Sequence, residues 1–171
     1  MTGKTHLACG MFVGALSIQY FKEDIFVSTT IMTLAALSSL LPDICHASSK
    51  VGRKFKLLSF VIRTVFGHRT FTHSLLFMGI IYVLLNFIHT PNYYVFPIIG
   101  GICSHIILDM LTKRGVKLLY PIPISVKFPF QFKTGGTVDL SLASTFSAVT
   151  LYIFFKDYIH QYLNIQHIFF S

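Results

Sequence analysis

The chain has 171 residues, 53% of them hydrophobic and only 12% charged, with a mean hydropathy of +0.67. That excludes a disordered segment and is too apolar for an ordinary soluble domain, so an integral membrane protein is the first reading. The formal net charge of +8 would suggest nucleic-acid binding in a soluble protein, but basic residues also collect in the cytoplasmic loops of membrane proteins. The topological explanation is preferred, and no specific nucleic-acid partner is expected.

In chain order, MTGKTHLACGMFVGALSIQYF places a basic residue ahead of an apolar run without an A-x-A-like cleavage site, so it is expected to be retained. Apolar segments follow at about 7–21, 25–41, 74–89, 93–111 and 138–156, several of them approaching the roughly 20 residues that cross a bilayer as a helix. The first and third are short, which implies tilt, local thinning or partial embedding. Pro42 should end the second segment near Leu41. The stretch LLSFVIRTVF at 57–66, with Arg63 inside it, fits an interfacial helix better than a span. Thr72 is a candidate cap for the third helix, and HTPNYY at 89–94 suits a tight turn. LLYPIPISVKFPFQFKTGG at 118–136 carries three prolines and alternates in places, as in an extended loop or short hairpin at the membrane surface.

The expected fold is therefore all-α: an integral membrane helix bundle of about five transmembrane helices, with an interfacial helix and a short extended loop, residues 1–171 forming a single domain. Cys9, Cys45 and Cys103 form no CxxC pair and read as small buried apolar residues. With five spans, Lys4, Lys50, Arg53, Lys54, Lys56, Arg63, Arg69, Lys113, Arg114, Lys117, Lys127 and Lys133 fall on one side and Lys22 and Lys156 on the other, twelve plus two making the 14 basic residues. This bias puts the N-terminus in the cytoplasm and the C-terminus outside, in a multi-pass cell-membrane protein.

The remaining ionisable residues are unevenly placed. Asp43 and His46 follow the second segment in LLPDICH, His68 and His73 lie in GHRTFTHS, and His105 and Asp109 in GICSHIILDML are one helical turn apart and share a face. A single histidine on an apolar helix is commonly a hydrogen-bonded core residue, but ionisable groups inside membrane segments are costly and usually functional. All six fall at or near the basic side, as does His6 before the first span, whereas His89, His160, His167, Asp24 and Asp157 fall near the other side and read as surface residues. Histidine mixed with carboxylate is a ligand set for zinc, manganese or iron. A bound divalent ion brings the pKa of water near 7, which makes hydrolysis the natural reaction class. His68 and His73, five apart, would point about 140° from each other on a regular helix, so a shared ion requires a bend or helix start between them, most plausibly at Thr72. Without it, His73 is the ligand and His68 works with Arg69 on the substrate.

LPDICH, GHRTFTHS and SHIILD followed by LTKRGVKLLYP resemble the YdjM-like family of inner-membrane-associated, metal-dependent hydrolases, whose members carry LPD-type, HRG-x-THS and H-x-x-x-D motifs. Thr70 stands where glycine is common. The order of groups is also similar to zinc-dependent phospholipase C and single-strand zinc nucleases, in which an early histidine, an aspartate, a histidine and H-x-x-x-D bind a zinc cluster. His6, Asp43, His68 or His73, and His105 with Asp109 occupy that order, while Asp139 alone could match the later ligands of those enzymes.

The resemblance implies one or two divalent ions, zinc first and manganese second, drawn from His6, Asp43, His46, His68, His73, His105 and Asp109. Arg69, His68 and Asp109 are the expected catalytic groups, with Asp109 able to bridge two ions and Arg69 meeting negative charge that develops on a phosphoester. The start of the third helix, Thr72 to Ser74, would add backbone N–H groups for phosphate. The expected partners are the lipid bilayer and an amphiphilic phosphorylated substrate, with Lys50, Arg53, Lys54 and Lys113 attracting its head group. The alternative is a non-catalytic membrane protein, a metal-binding regulator or transporter component, that uses the same cluster. Transport predicts polar residues across the whole membrane, and the outer halves of these segments are nearly all apolar.

Overall fold

Apolar runs and their punctuation set the helix boundaries. The computed structural model describes residues 1–46, 49–67 and 69–169, with the side chains of residues 50, 51 and 157–169 outside that description. His68 therefore lies outside the described residues, as do the side chains of Asp157, His160 and His167. The helices are α1 (Gly3–Phe21), α2 (Ile25–Ser38), α3 (Lys50–Lys54), α4 (Lys56–Phe66), α5 (Leu75–Phe87), α6 (Asn92–Met110) and α7 (Thr137–Phe169), with 3-10 turns at Leu41–Cys45 and Phe71–His73. Asp24 caps α2 by accepting from the backbone N–H groups of Phe26 and Val27. α2 ends at Ser38, and Pro42 sits at the start of the following 3-10 turn, where its missing N–H costs no helical bond.

Three stretches are long and apolar enough to cross a membrane: Ile25–Cys45, Asn92–Met110 and Thr137–Lys156. The expected first and third segments fall short of that standard. α5 has 13 residues, about 20 Å at 1.5 Å per residue against a hydrocarbon core of about 30 Å. α1 has the length but dilutes its apolar run with Thr5, His6, Ser17 and Gln19. α4 forms as a separate short helix and turns Leu57, Phe60, Val61 and Val65 outward along one stripe while Ser59 is buried. The loop after α6 pairs Val116 with Val126 and Thr112 with Phe132 in isolated bridges, and the described residues contain no strand.

α1 packs against α2, α6 and α7, α2 also packs on α6, and α5 flanks α6. Small residues permit this. A Cβ on Gly10 of α1 would lie 2.7 Å from the Ala35 carbonyl oxygen of α2, and one on Gly101 of α6 would lie 2.5 Å from the same atom. Two helices thus press their bare backbones onto one turn of α2, the close approach by which helices associate in lipid. The outside is apolar: α5 buries none of its residues and exposes Val83 and Phe87, and α7 exposes Leu140, Leu151 and Phe155. Such a surface suits lipid and would be a liability in water.

Candidate metal centre

Asp109 is buried at the last turn of α6, and groups from four other parts of the chain converge on it. Its Oδ1 lies 2.6 Å from the Met1 amino group and 3.3 Å from His6 Nε2. Its Oδ2 lies 2.9 Å from Arg69 Nη2, 3.4 Å from His73 Nε2 and 3.7 Å from His105 Nε2. Despite these neighbours Oδ2 accepts no well-aligned hydrogen bond among the described residues, so the Arg69 contact is one of charge more than of direction.

His105, one turn earlier on α6, is oriented from behind. Its Nδ1 lies 2.7 Å from the Ser39 carbonyl oxygen, which can only accept, so the ring proton sits on Nδ1 and the Nε2 lone pair faces the cluster. The Gly101 contact with the turn before Ser39 brings that carbonyl within reach. His6 stacks on the His105 ring, with centroids 3.7 Å apart and planes 15° from parallel, and its buried Nδ1 has no hydrogen-bond partner among the described residues. Asp43, on the 3-10 turn opened by Pro42, places Oδ1 3.9 Å from His105 Nε2.

His73 reaches the cluster because the chain before it is not helical. Gly67 and Arg69 both have positive φ, +81° and +59°, a conformation that strains any residue but glycine and marks Arg69 as held in place by its surroundings. The 3-10 turn Phe71–His73 follows, and Thr72 Oγ1 lies 3.1 Å from His73 Nδ1. The cap of α5 is Ser74, whose hydroxyl accepts from the Phe77 N–H. Thr72 does not cap the helix, because it is buried and its hydroxyl is turned to the histidine ring. Burial alone would disfavour protonated His73, yet the Asp109 carboxylate beside it, with help from Cys45, raises its pKa above the ordinary 6.5.

The spacing fits a metal ion. Tetrahedral zinc with bonds of about 2.0–2.1 Å holds its ligand atoms about 3.3–3.4 Å apart. His73 Nε2, His105 Nε2 and Asp109 Oδ2 are separated by 3.1, 3.4 and 3.7 Å, close to the edges of one tetrahedral face. Two ligand groups can be drawn, His6 with His105 and Asp109, and Asp43 with His73 and His105. They share His105, whose single inward lone pair serves one ion.

A cavity of about 460 Å³ opens beside the cluster, with Asp43, His46, Arg69, Lys113, Arg114 and Lys133 in its wall. Arg69 is anchored there: Nη1 donates to Thr112 Oγ1 at 2.7 Å while Nη2 faces Asp109, and its buried Nε has no hydrogen-bond partner among the described residues.

Of the residues expected from sequence, His6, Asp43, Arg69, His73, His105 and Asp109 come together. His46 lines the cavity beside Asp43 and belongs to neither ligand group. Asp139 is occupied by the N–H groups of Thr2 and Gly135, at 3.0 and 2.7 Å, and by the Thr5 hydroxyl, which makes it a tie between the starts of α1 and α7. His89 and Asp24 are exposed at the far ends of their helices. Three contributors escaped the sequence reading: the Ser39 carbonyl, the Met1 amino group and Thr112. Only Thr112 left a signal, since three residues after Asp109 places it one helical turn on.

An apolar helical bundle with histidines and carboxylates gathered at one end defines a membrane protein with a polar centre. The chain belongs to the YdjM inner membrane protein family, whose model matches residues 1–163. It is 39% identical over 155 residues to "Uncharacterized protein YvsG" of Bacillus subtilis, covering 91% of this chain and 95% of that one. It is also 39% identical over 113 residues to "Inner membrane protein YdjM" of Escherichia coli, covering 62% of this chain and 57% of that protein. The protein of the same name from Shigella flexneri matches to the same extent. No solved structure matches the chain.

Proposed function

We propose that this protein is a membrane-embedded, metal-dependent hydrolase that cleaves a phosphoester of a lipid or other amphiphilic substrate at the cytoplasmic face. The observation that carries the reading is the triangle of His73 Nε2, His105 Nε2 and Asp109 Oδ2, with edges of 3.1, 3.4 and 3.7 Å, beside an open basic cavity. His73, His105, Asp109 and Asp43 would hold the ion, zinc first and manganese second, with His6 completing the set around a second ion or supporting the first. A divalent ion bound there supplies a water of pKa near 7 for hydrolysis.

The chain's own groups do the rest. The Ser39 carbonyl keeps the His105 lone pair pointed inward, and Thr72 orients His73. Arg69 offsets the Asp109 charge and stands in the cavity wall, where its guanidinium meets negative charge gathering on a phosphoryl group. His68, next to Arg69 in sequence and outside the described residues, is kept as a candidate for the ion or the substrate. The start of α1, the end of α2, the start of α5, the end of α6 and the start of α7 meet at the cluster. In this reading those ends share the cytoplasmic side of five alternating segments, with the N-terminus in the cytoplasm and the C-terminus outside.

One observation favours a non-catalytic membrane protein: Asp109 is already matched in charge by Arg69 and the Met1 amino group, a network that can stabilise a bundle unaided. Metal content separates the two. Full-length protein purified in mild detergent is expected to carry zinc or manganese and to release phosphate from a panel of lipid phosphates and phosphodiesters, with His105→Ala losing the metal and Asp109→Ala losing turnover. Metal content unaltered by His105→Ala, or no metal-dependent release across the panel, overturns the hydrolase.

A further inference from the structure

Lys113, Arg114 and Lys133 stand in the cavity wall with no acidic ion-pair partner among the described residues. Arg69 differs, being already committed to Asp109 and Thr112. The three unpaired cations are mounted on stiff supports. Lys113 and Arg114 form the tip of a turn closed by the Gly115 N–H on the Thr112 carbonyl at 3.1 Å. Gly115 has φ +63°, and a Cβ there would come 2.6 Å from the Val126 carbonyl oxygen, so the turn is pinned against the bridged loop. Thr112, which opens the turn, is the residue that anchors Arg69. Lys133 opens a second turn, closed by the Gly136 N–H at 3.0 Å, and the neighbouring Gly135 N–H is bound by buried Asp139. Cations fixed around a cavity in excess of its counter-charges raise one another's energy and favour an anion there.

We propose that Lys113, Arg114 and Lys133 form the head-group receptor of this site and select a phosphate monoester of a lipid, a head group carrying close to two negative charges, over zwitterionic or singly charged diester head groups. This deepens the proposed hydrolase and rests on its reading of the cavity as the substrate's place. The charge balance decides the class. The cavity wall carries Lys113, Arg114 and Lys133, with Arg69 and the Met1 amino group already committed to Asp109, against one carboxylate, Asp43, so a head group with one negative charge or a balancing choline leaves cations unmatched. The loop between the two turns decides the source. It exposes Ile122, Ile124, Phe128 and Phe130, apolar side chains that belong in the bilayer surface and would set the cavity mouth at the depth of lipid phosphates.

The test uses full-length protein in detergent, with its metal content measured separately. Binding is measured for short-chain phosphatidic acid, short-chain phosphatidylcholine, inorganic phosphate and a single-stranded oligonucleotide. Phosphatidic acid is expected to bind at least about tenfold more tightly than phosphatidylcholine, the difference of about one charge-assisted contact, with inorganic phosphate competing more weakly. The double variant Arg114→Gln/Lys133→Gln should lose about tenfold or more of that affinity with metal content and thermal unfolding unchanged, and Arg114→Lys should retain most of it. Equal affinity for the two lipids, tighter binding of the oligonucleotide, or a double variant that binds like wild type overturns the receptor. Inorganic phosphate binding as tightly as phosphatidic acid overturns the lipid as the source of the phosphate. Selective monoester binding by protein that holds no metal leaves the receptor standing and removes the hydrolase; metal-dependent turnover with no head-group preference does the reverse.

Discussion

His105 Nε2 and His73 Nε2 face each other at 3.1 Å, although one comes from a long apolar helix and the other from a 3-10 turn. With the His105 proton fixed on Nδ1 by Ser39, its Nε2 can only accept, so in metal-free protein His73 supplies the proton between the rings or to Asp109. A metal ion would take the place of that proton.

This exchange gives a pH dependence with a definite sign. His73 has its pKa raised above 6.5 in the folded protein, so in metal-free protein its stabilising contribution is complete below that value. The contribution is lost as pH rises through the raised folded value. Metal binding requires the unprotonated ring and should strengthen over the same rise. Calorimetric titration with zinc in buffers of different ionisation enthalpy should show proton release in wild type, and less in His73→Gln; equal proton release in the two would reject the assignment.

The Asp109–Arg69 pair has separate consequences for structure and chemistry. Asp109→Asn leaves the mostly buried Arg69 charge without its carboxylate, a change that costs about 3–5 kcal/mol when a buried pair is broken. Adding Arg69→Met should restore part of that stability in chemical denaturation while metal content stays low. If the double variant is as unstable as Asp109→Asn, the loss comes from something other than the stranded guanidinium.

Gly101 and Gly79 form a matched pair of helix substitutions. Gly101→Ala drives a methyl group to 2.5 Å from the Ala35 carbonyl oxygen and should cost about 1–3 kcal/mol by overpacking, with loss of metal as Ser39 moves off His105. Gly79→Ala meets nothing within 4 Å and should be neutral or stabilising by up to about 1 kcal/mol. Thermal unfolding of both in one detergent decides it, and equal midpoints would reject the packing account.

Asp139→Asn tests whether that carboxylate ties helices together or binds metal. Replacing one carboxylate oxygen with a donating amide leaves either the Thr2 and Gly135 N–H groups or the Thr5 hydroxyl without its acceptor and should cost about 1–2 kcal/mol, as loss of a helix cap does. Metal stoichiometry by elemental analysis should match wild type, and a drop by one ion would make Asp139 a ligand after all.

The sequence made the principal residues of the cluster legible because ionisable side chains stand out against apolar surroundings. His105 and Asp109 share a helix face by spacing alone, and Pro42 marks where the chain turns to present Asp43. What could not be read there was backbone. The Ser39 carbonyl matters for where it points, and the left-handed conformation of Arg69 has no residue-type signature. Thr72 misled for a related reason: threonine caps helices well, but so does the serine two positions on, and the choice fell to which hydroxyl the histidine ring required. Of the five expected spans, three are long and apolar enough to cross a membrane, while polar residues within α1 and the 13-residue length of α5 keep those two helices below that standard.

The contacts that close the cluster join residues 32, 66 and 108 positions apart. Contacts of that range carry the largest loop-closure cost and count toward slow folding, so the centre is a property of the closed bundle and of no single helix hairpin within it. The longest of them ties the first turn of the chain to the last turn of α6.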